Sequence, residues 1–154
     1  MGLVINRPQT VTVHDVLKDL SLDVRPEAAK SWQDYHALSF EGGPIDPFRG
    51  FVVHDGWQIY ESTMQVTPEI HLTASKDILE ELAAGNGPEH FMLLLGYAGW
   101  GAGQLEQEIL ENAWLSGPAD VDVIFKTPCE QRWQTAASLL GVDLNLLSTD
   151  IGHA

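Results

Sequence analysis

Apolar residues recur along the 154-residue chain with two periods. Spacings of three and four mark helices; alternation or a short unbroken apolar run marks strands. Residues 2–6, GLVIN, predict a strand stopped by Arg7-Pro8. Thr12 then predicts the cap of a short helix with Val13, Val16, Leu17 and Leu20 on one face. Residues 21–37 hold few apolar anchors and predict a loop. Residues 37–40 predict a strand running into the turn Gly42-Gly43-Pro44. Residues 50–54 and 70–73 predict two more strands, and residues 60–66 between them fit neither period cleanly. Ser75 predicts a helix cap, with Asp77 in the first turn, Ile78, Leu79 and Leu82 as the apolar face, and Gly85 or Gly87 as the stop. Residues 90–95 are almost continuously apolar, as in a strand covered on both faces.

The second part of the chain opens with a glycine-rich turn. Residues 104–113 then predict a helix with a stripe of Leu105, Ile109 and Ala113. Residues 122–125 predict a short strand. Thr127-Pro128-Cys129-Glu130 has the form of a capping box with proline at the first helical position. The helix it opens carries Trp133, Ala136, Ala137 and Leu140 and is closed by Gly141. Strands alternating with helices predict an α/β or α+β fold with a mixed sheet, and the length predicts a single domain over residues 1–154.

Composition narrows the functional classes. Apolar residues make up 44% of the chain and charged residues 19%, which is globular. Eight Lys and Arg stand against twenty-two Asp and Glu, a net charge of −14. Nucleic-acid binding draws on clustered cations, and here they are scattered, so direct DNA contact is disfavoured. No run has the length of a membrane span, and no basic-then-apolar leader pattern opens the chain, which predicts a cytoplasmic protein that does not enter membranes. The lone Cys129 allows no intrachain disulfide; the helix dipole is positioned to lower its pKa, but an inert thiol is the better-supported reading. The six histidines, at 14, 36, 54, 71, 90 and 153, never take metal-ligand spacing on a helix.

The run LGYAGWGAGQLEQEILENAWL, residues 95–115, invites a phosphate-loop reading. A phosphate loop needs a lysine after its last glycine, and Gly103 is followed by Gln104 and Leu105. Glu106 and Glu108 would sit at the start of the helix and repel a phosphate. The glycines are better explained as a sharp turn that lets Tyr97 and Trp100 pack. Trp57, Trp100, Trp114 and Trp133 are too many large rings to bury fully in a chain this size, and tryptophan is favoured at protein interfaces.

Several blocks together resemble the AlgH/YqgE family of bacterial proteins. They are Gly42-Gly43-Pro44, Gly50-Phe51-Val52-Val53-His54, Thr73-Ala74-Ser75-Lys76-Asp77, the 95–115 run with Pro118-Ala119-Asp120, Arg132-Trp133, Leu140-Gly141-Val142-Asp143 and Gly152-His153-Ala154. The resemblance spans essentially the whole chain. It implies a mixed sheet flanked by helices, and it brings no catalytic residue, cofactor or metal. One branch carries a transcriptional-regulator label tied to alginate production. Family members begin about two strands earlier, which predicts an open sheet edge beside residues 2–6 and possible self-association there.

Three readings follow, in order of preference. The first is a regulatory protein acting on a protein partner through a surface of Gly42, Gly43, Pro44, Tyr97, Trp100, Gln104 and Trp114. The second is a DNA-binding regulator with a basic strip of Arg7, Lys18, Arg25, Lys30 and Arg49. The third is an enzyme or small-ligand binder with a pocket near His54, His71 and Glu41.

Overall fold

The computed structural model describes residues 1–25 and 37–143. Most of the loop expected over residues 21–37, together with Lys30, His36 and the 152–154 block, lies outside the described residues. The chain forms two compact units that divide at Gly99 and Trp100.

The first unit holds six strands: β1 (Pro8–Thr12), β2 (Leu38–Glu41), β3 (Ile45–His54), β4 (Thr63–Gln65), β5 (His71–Thr73) and β6 (Phe91–Tyr97). They form one mixed sheet in the order β1-β2-β6-β3-β5-β4. β6 runs parallel to β2 and antiparallel to β3, and the remaining pairs are antiparallel. The apolar run predicted as a covered strand is thus β6, bonded on both sides, with Met92, Leu93 and Leu94 buried. Helices α1 (Val13–Asp19) and α2 (Asp77–Ala84) pack Val13, Leu17, Ile78, Leu79, Leu82 and Ala83 against Val52, Tyr60 and Leu93. Each such leucine or isoleucine contributes roughly 1.5–3 kcal/mol by leaving water. Thr12 caps α1 as the sequence predicts: its hydroxyl accepts from the Asp15 amide at 3.1 Å, and the Asp15 carboxylate accepts from the Thr12 amide at 2.9 Å.

β2 and β3 are consecutive in sequence but lie on opposite sides of β6. The chain between them must cross the end of β6, and Gly42-Gly43-Pro44 makes that crossing against backbone. A Cβ on Gly42 would lie 2.3 Å from the Gly96 oxygen, and one on Gly43 2.2 Å from the Tyr97 carbonyl carbon. Gly96 answers in kind: its φ is +75° and its Cβ would lie 2.5 Å from the Gly43 oxygen.

Two expectations for this unit are corrected. Residues 2–6 form no strand; Gly2 makes a single bridge to Ala98, and the Val4 amide donates to Gly42. The edge strand starts instead at Pro8, whose missing N–H is harmless at a first edge position. Ser75 does not cap α2. Its hydroxyl donates to Asp77 at 2.6 Å, and the Asp77 carboxylate accepts from the Glu61 and Ile78 amides. The stop is Gly85, in the left-handed conformation at φ 81°.

The second unit holds three helices among its described residues: α3 (Gln104–Leu110), α4 (Val121–Phe125) and α5 (Cys129–Leu139). Its stripe of Leu105, Ile109 and Ala113 is not a buried face: α3 ends at Leu110 and buries no residue. The segment expected as a strand at 122–125 is helical, because Asp120 accepts from the Val123 amide at 2.9 Å and so starts a helical turn. Thr127 does not form the expected capping box. Its hydroxyl donates back to the Asp122 carbonyl, leaving Pro128 as the cap of α5 without a side-chain bond.

Candidate interaction site

The seven residues of the candidate surface divide between the units. In the first, Gly42 and Gly43 are buried by the backbone crossing, and Pro44 is exposed. Tyr97 is half-buried, with its ring edge-on to Phe51 at 5.8 Å. These glycines position strands rather than offer a surface.

In the second unit, Trp100, Gln104 and Trp114 converge on one carboxylate. The Trp100 indole donates to Glu108 Oε2 at 3.1 Å, and the Trp114 indole donates to the same oxygen at 2.7 Å. The Gln104 amide donates to Glu108 Oε1 at 2.9 Å while its oxygen accepts from the Gly101 amide. The two indoles meet edge to face at 5.8 Å. Hydrogen bonds from Trp114, then Gln104, then Trp100 stabilise the ionised form and hold the Glu108 carboxyl below its usual pKa. Trp114 remains 48% exposed and Trp100 is half-buried, so both rings are oriented yet reachable. Glu108 itself was not among the candidates. Its signal was the four-residue spacing from Gln104 on a helix, which places both side chains on one face.

The proposed pocket near His54, His71 and Glu41 does not assemble. Glu41 pairs beside Leu95 at one end of β6, whereas His54 pairs with Phe91 at the other. Glu41 faces Arg7 across an exposed 4.0 Å ion pair. His54 and His71 are cross-strand neighbours, stacked at 5.7 Å and buried. His54 Nδ1 meets the Asp55 carbonyl, which can only accept, so Nδ1 carries the proton. Nε2 therefore accepts from the Thr73 hydroxyl at 2.9 Å. Thr73 in turn accepts from Thr63 at 2.8 Å, and Thr63 accepts from the Tyr60 amide at 2.9 Å. Burial, and then the neighbouring His71, lower the His54 pKa. This chain of bonds satisfies a buried neutral imidazole and presents no group to a substrate.

Cys129 is not activated. Burial first, then its hydrogen bond to Glu130, raises its pKa. The described members of the suggested basic strip are not uniformly free either, since Arg7 faces Glu41 and Arg49 lies over the Phe51 ring at 5.4 Å. No described helix is long and apolar enough to cross a membrane.

Comparison with known proteins agrees with this fold. The family model described as AlgH-like matches residues 1–145. A UPF0301 protein of Thioalkalivibrio sulfidiphilus is 48% identical over all 154 residues, which cover 80% of that protein. A UPF0301 protein of Xanthomonas oryzae pv. oryzae is 46% identical over the whole chain and 79% of its own length. The solution structure of the AlgH protein from Pseudomonas aeruginosa superposes with a TM-score of 0.75 at 44% identity, covering 100% of this chain and 79% of that one. The chain belongs to the AlgH-like family.

Proposed function

We propose that this member of the AlgH-like family is a cytoplasmic regulatory protein that acts by binding another protein, not by catalysis or by contacting DNA. The observation that carries the reading is the Trp100–Trp114 pair tied to Glu108. Two large rings, each held by an indole hydrogen bond to a carboxylate that Gln104 also holds, are an anchor pre-organised before any partner arrives. The carboxylate at their centre accepts three hydrogen bonds from its own neighbours, which makes it a tether for the rings. A net charge of −14 opposes phosphate backbones, and Lys76 and Lys126 already face Glu80 and Asp122. The regulator label implied by the family resemblance is then an indirect one, exerted through the bound protein.

The test is affinity capture from bacterial lysate, with and without nuclease, using the wild type and Trp100→Ala. The expected result is a partner that survives nuclease and is lost with Trp100→Ala, while circular dichroism shows an unchanged fold. Equal capture by the variant, or capture abolished by nuclease, would overturn the reading.

A further inference from the structure

The first unit carries a second tryptophan site, independent of the Trp100–Trp114 pair. Trp57 is 91% exposed, and no ring contact or hydrogen bond engages it among the described residues. It stands on the loop Asp55-Gly56-Trp57-Gln58, which lines a cavity of about 220 Å³ together with Pro88. The base of this loop is held from several sides. The Asp55 amide donates to the His90 carbonyl, and the Asp55 carboxylate accepts from the His90 amide at 3.0 Å and the His90 ring at 2.7 Å. The Asp55 carbonyl accepts from the buried His54. The Asp55 side chain still keeps 26% of its surface open. An ionised carboxylate has about four lone-pair sites, so Asp55, which lines the cavity, keeps acceptor capacity.

We propose that this loop and Pro88 form a receptor for one arginine side chain of a partner protein, with the guanidinium stacked on the Trp57 indole and bonded to the Asp55 carboxylate. The cavity is smaller than the roughly 300 Å³ at which small-molecule pockets begin, and it fits a single side chain. A carboxylate and an exposed indole lining one cavity are the complement of a planar cation that stacks and donates a forked pair of hydrogen bonds; lysine cannot do both. Residues 55–61 and 86–90 contain Asp55, Glu61 and Glu89 and no lysine or arginine, which repels phosphate-bearing ligands and attracts a cation. The anchoring at His54 and His90 pre-organises the loop, so little ordering cost is left for binding.

The experiment is a nuclear magnetic resonance titration of the intact chain with N-acetyl-L-arginine amide, against the uncharged N-acetyl-L-citrulline amide. Saturable shifts are expected at the Trp57 indole N–H and the Gly56 and Gln58 amides, with a dissociation constant on the order of 1–10 mM for one residue. Citrulline should bind roughly tenfold more weakly. Asp55→Asn should abolish the shifts. Because Asp55 also anchors His90, Trp57→Ala provides a variant at an exposed position that leaves the fold alone, and it should weaken binding roughly fivefold. Absence of saturable shifts, equal response to arginine and citrulline, or indifference to Trp57→Ala would overturn the proposal. Tighter binding of free L-arginine would make the amino acid itself the ligand, and would overturn the partner reading.

Discussion

The two units treat their large side chains in opposite ways. Before Gly99, apolar residues close over one another: Leu17, Ile78, Leu82, Leu93 and Leu94 are essentially inaccessible, and even polar His54, Thr73 and Ser39 are fully buried. After it, only Val123, Arg132 and Ala137 are buried among the described residues, while Leu110, Trp114, Leu115, Trp133 and Leu139 are exposed. In the first unit a buried hydrogen-bond chain runs inward, from the Tyr60 amide through Thr63 and Thr73 to His54. In the second, a hydrogen-bond network serves instead to orient rings that still face outward. One unit is built to be rigid, the other to present a surface.

That contrast can be broken most forcefully at the glycines. Gly43→Ala should cost about 3 kcal/mol or more, because its Cβ falls on the Tyr97 backbone, where no side chain can move aside. Gly101→Ala, whose nearest neighbour would be the Gln104 side-chain oxygen at 3.7 Å, should stay within about 0.5 kcal/mol. Urea midpoints of the two variants check the pair; equal losses would mean that the crossing is not the constraint it looks to be. Next in size is truncation. Leu17→Ala should lose about 2–5 kcal/mol, and Leu110→Ala, at 77% exposure, about 0.5 kcal/mol or less. A comparable loss at Leu110 would show that α3 is as packed as α1.

The smallest effect is a pH dependence confined to the first unit. The folded His54 pKa lies below the ordinary histidine value, so the unfolded chain takes up the proton first on acidification. Its contribution to stability is therefore complete above the unfolded pKa of about 6.5 and is lost as pH falls through the folded value. Protonation would also require Nε2 to donate toward Thr73, reversing the chain of hydroxyls behind it, while His71 stacks on the same ring. The urea midpoint should fall between about pH 7.5 and 5.5, and fall less in His54→Gln. An identical decline in both proteins would assign the effect to groups other than His54.

Legibility followed locality. Thr12 and Asp15 are three residues apart, and their capping box was visible in the sequence. So were the buried run of β6 and a helix stop at Gly85 or Gly87, of which the fold uses Gly85, each a matter of near neighbours or composition. Residues 122–125 misled because a β-branched pattern was outweighed by Asp120, which bonds the backbone that a strand would have left open. Thr127 misled because its hydroxyl found the Asp122 carbonyl in place of its own helix. The role of Gly42 and Gly43 depends on Gly96 and Tyr97, more than fifty positions away, and no local rule reaches that far. In the candidate site, the tryptophans were legible as too many rings to bury. Glu108, the group that holds two of them, became evident only once the turn and helix had brought them together.

The central place of β6 also sets an order of events during synthesis. The strand that separates β2 from β3 is the last of the six to leave the ribosome. Until residue 97 has emerged, β2 and β3 each carry a row of unmet backbone donors and acceptors facing a gap. The nascent chain can close α1 early through its local cap, but the sheet cannot be completed piecemeal from the N-terminus. Both of its central pairings need Phe91–Tyr97, the strand that joins β1-β2 to β3-β5-β4. The glycines at 42, 43 and 96 are what let the crossing close over the end of that last strand, with two backbones in direct contact.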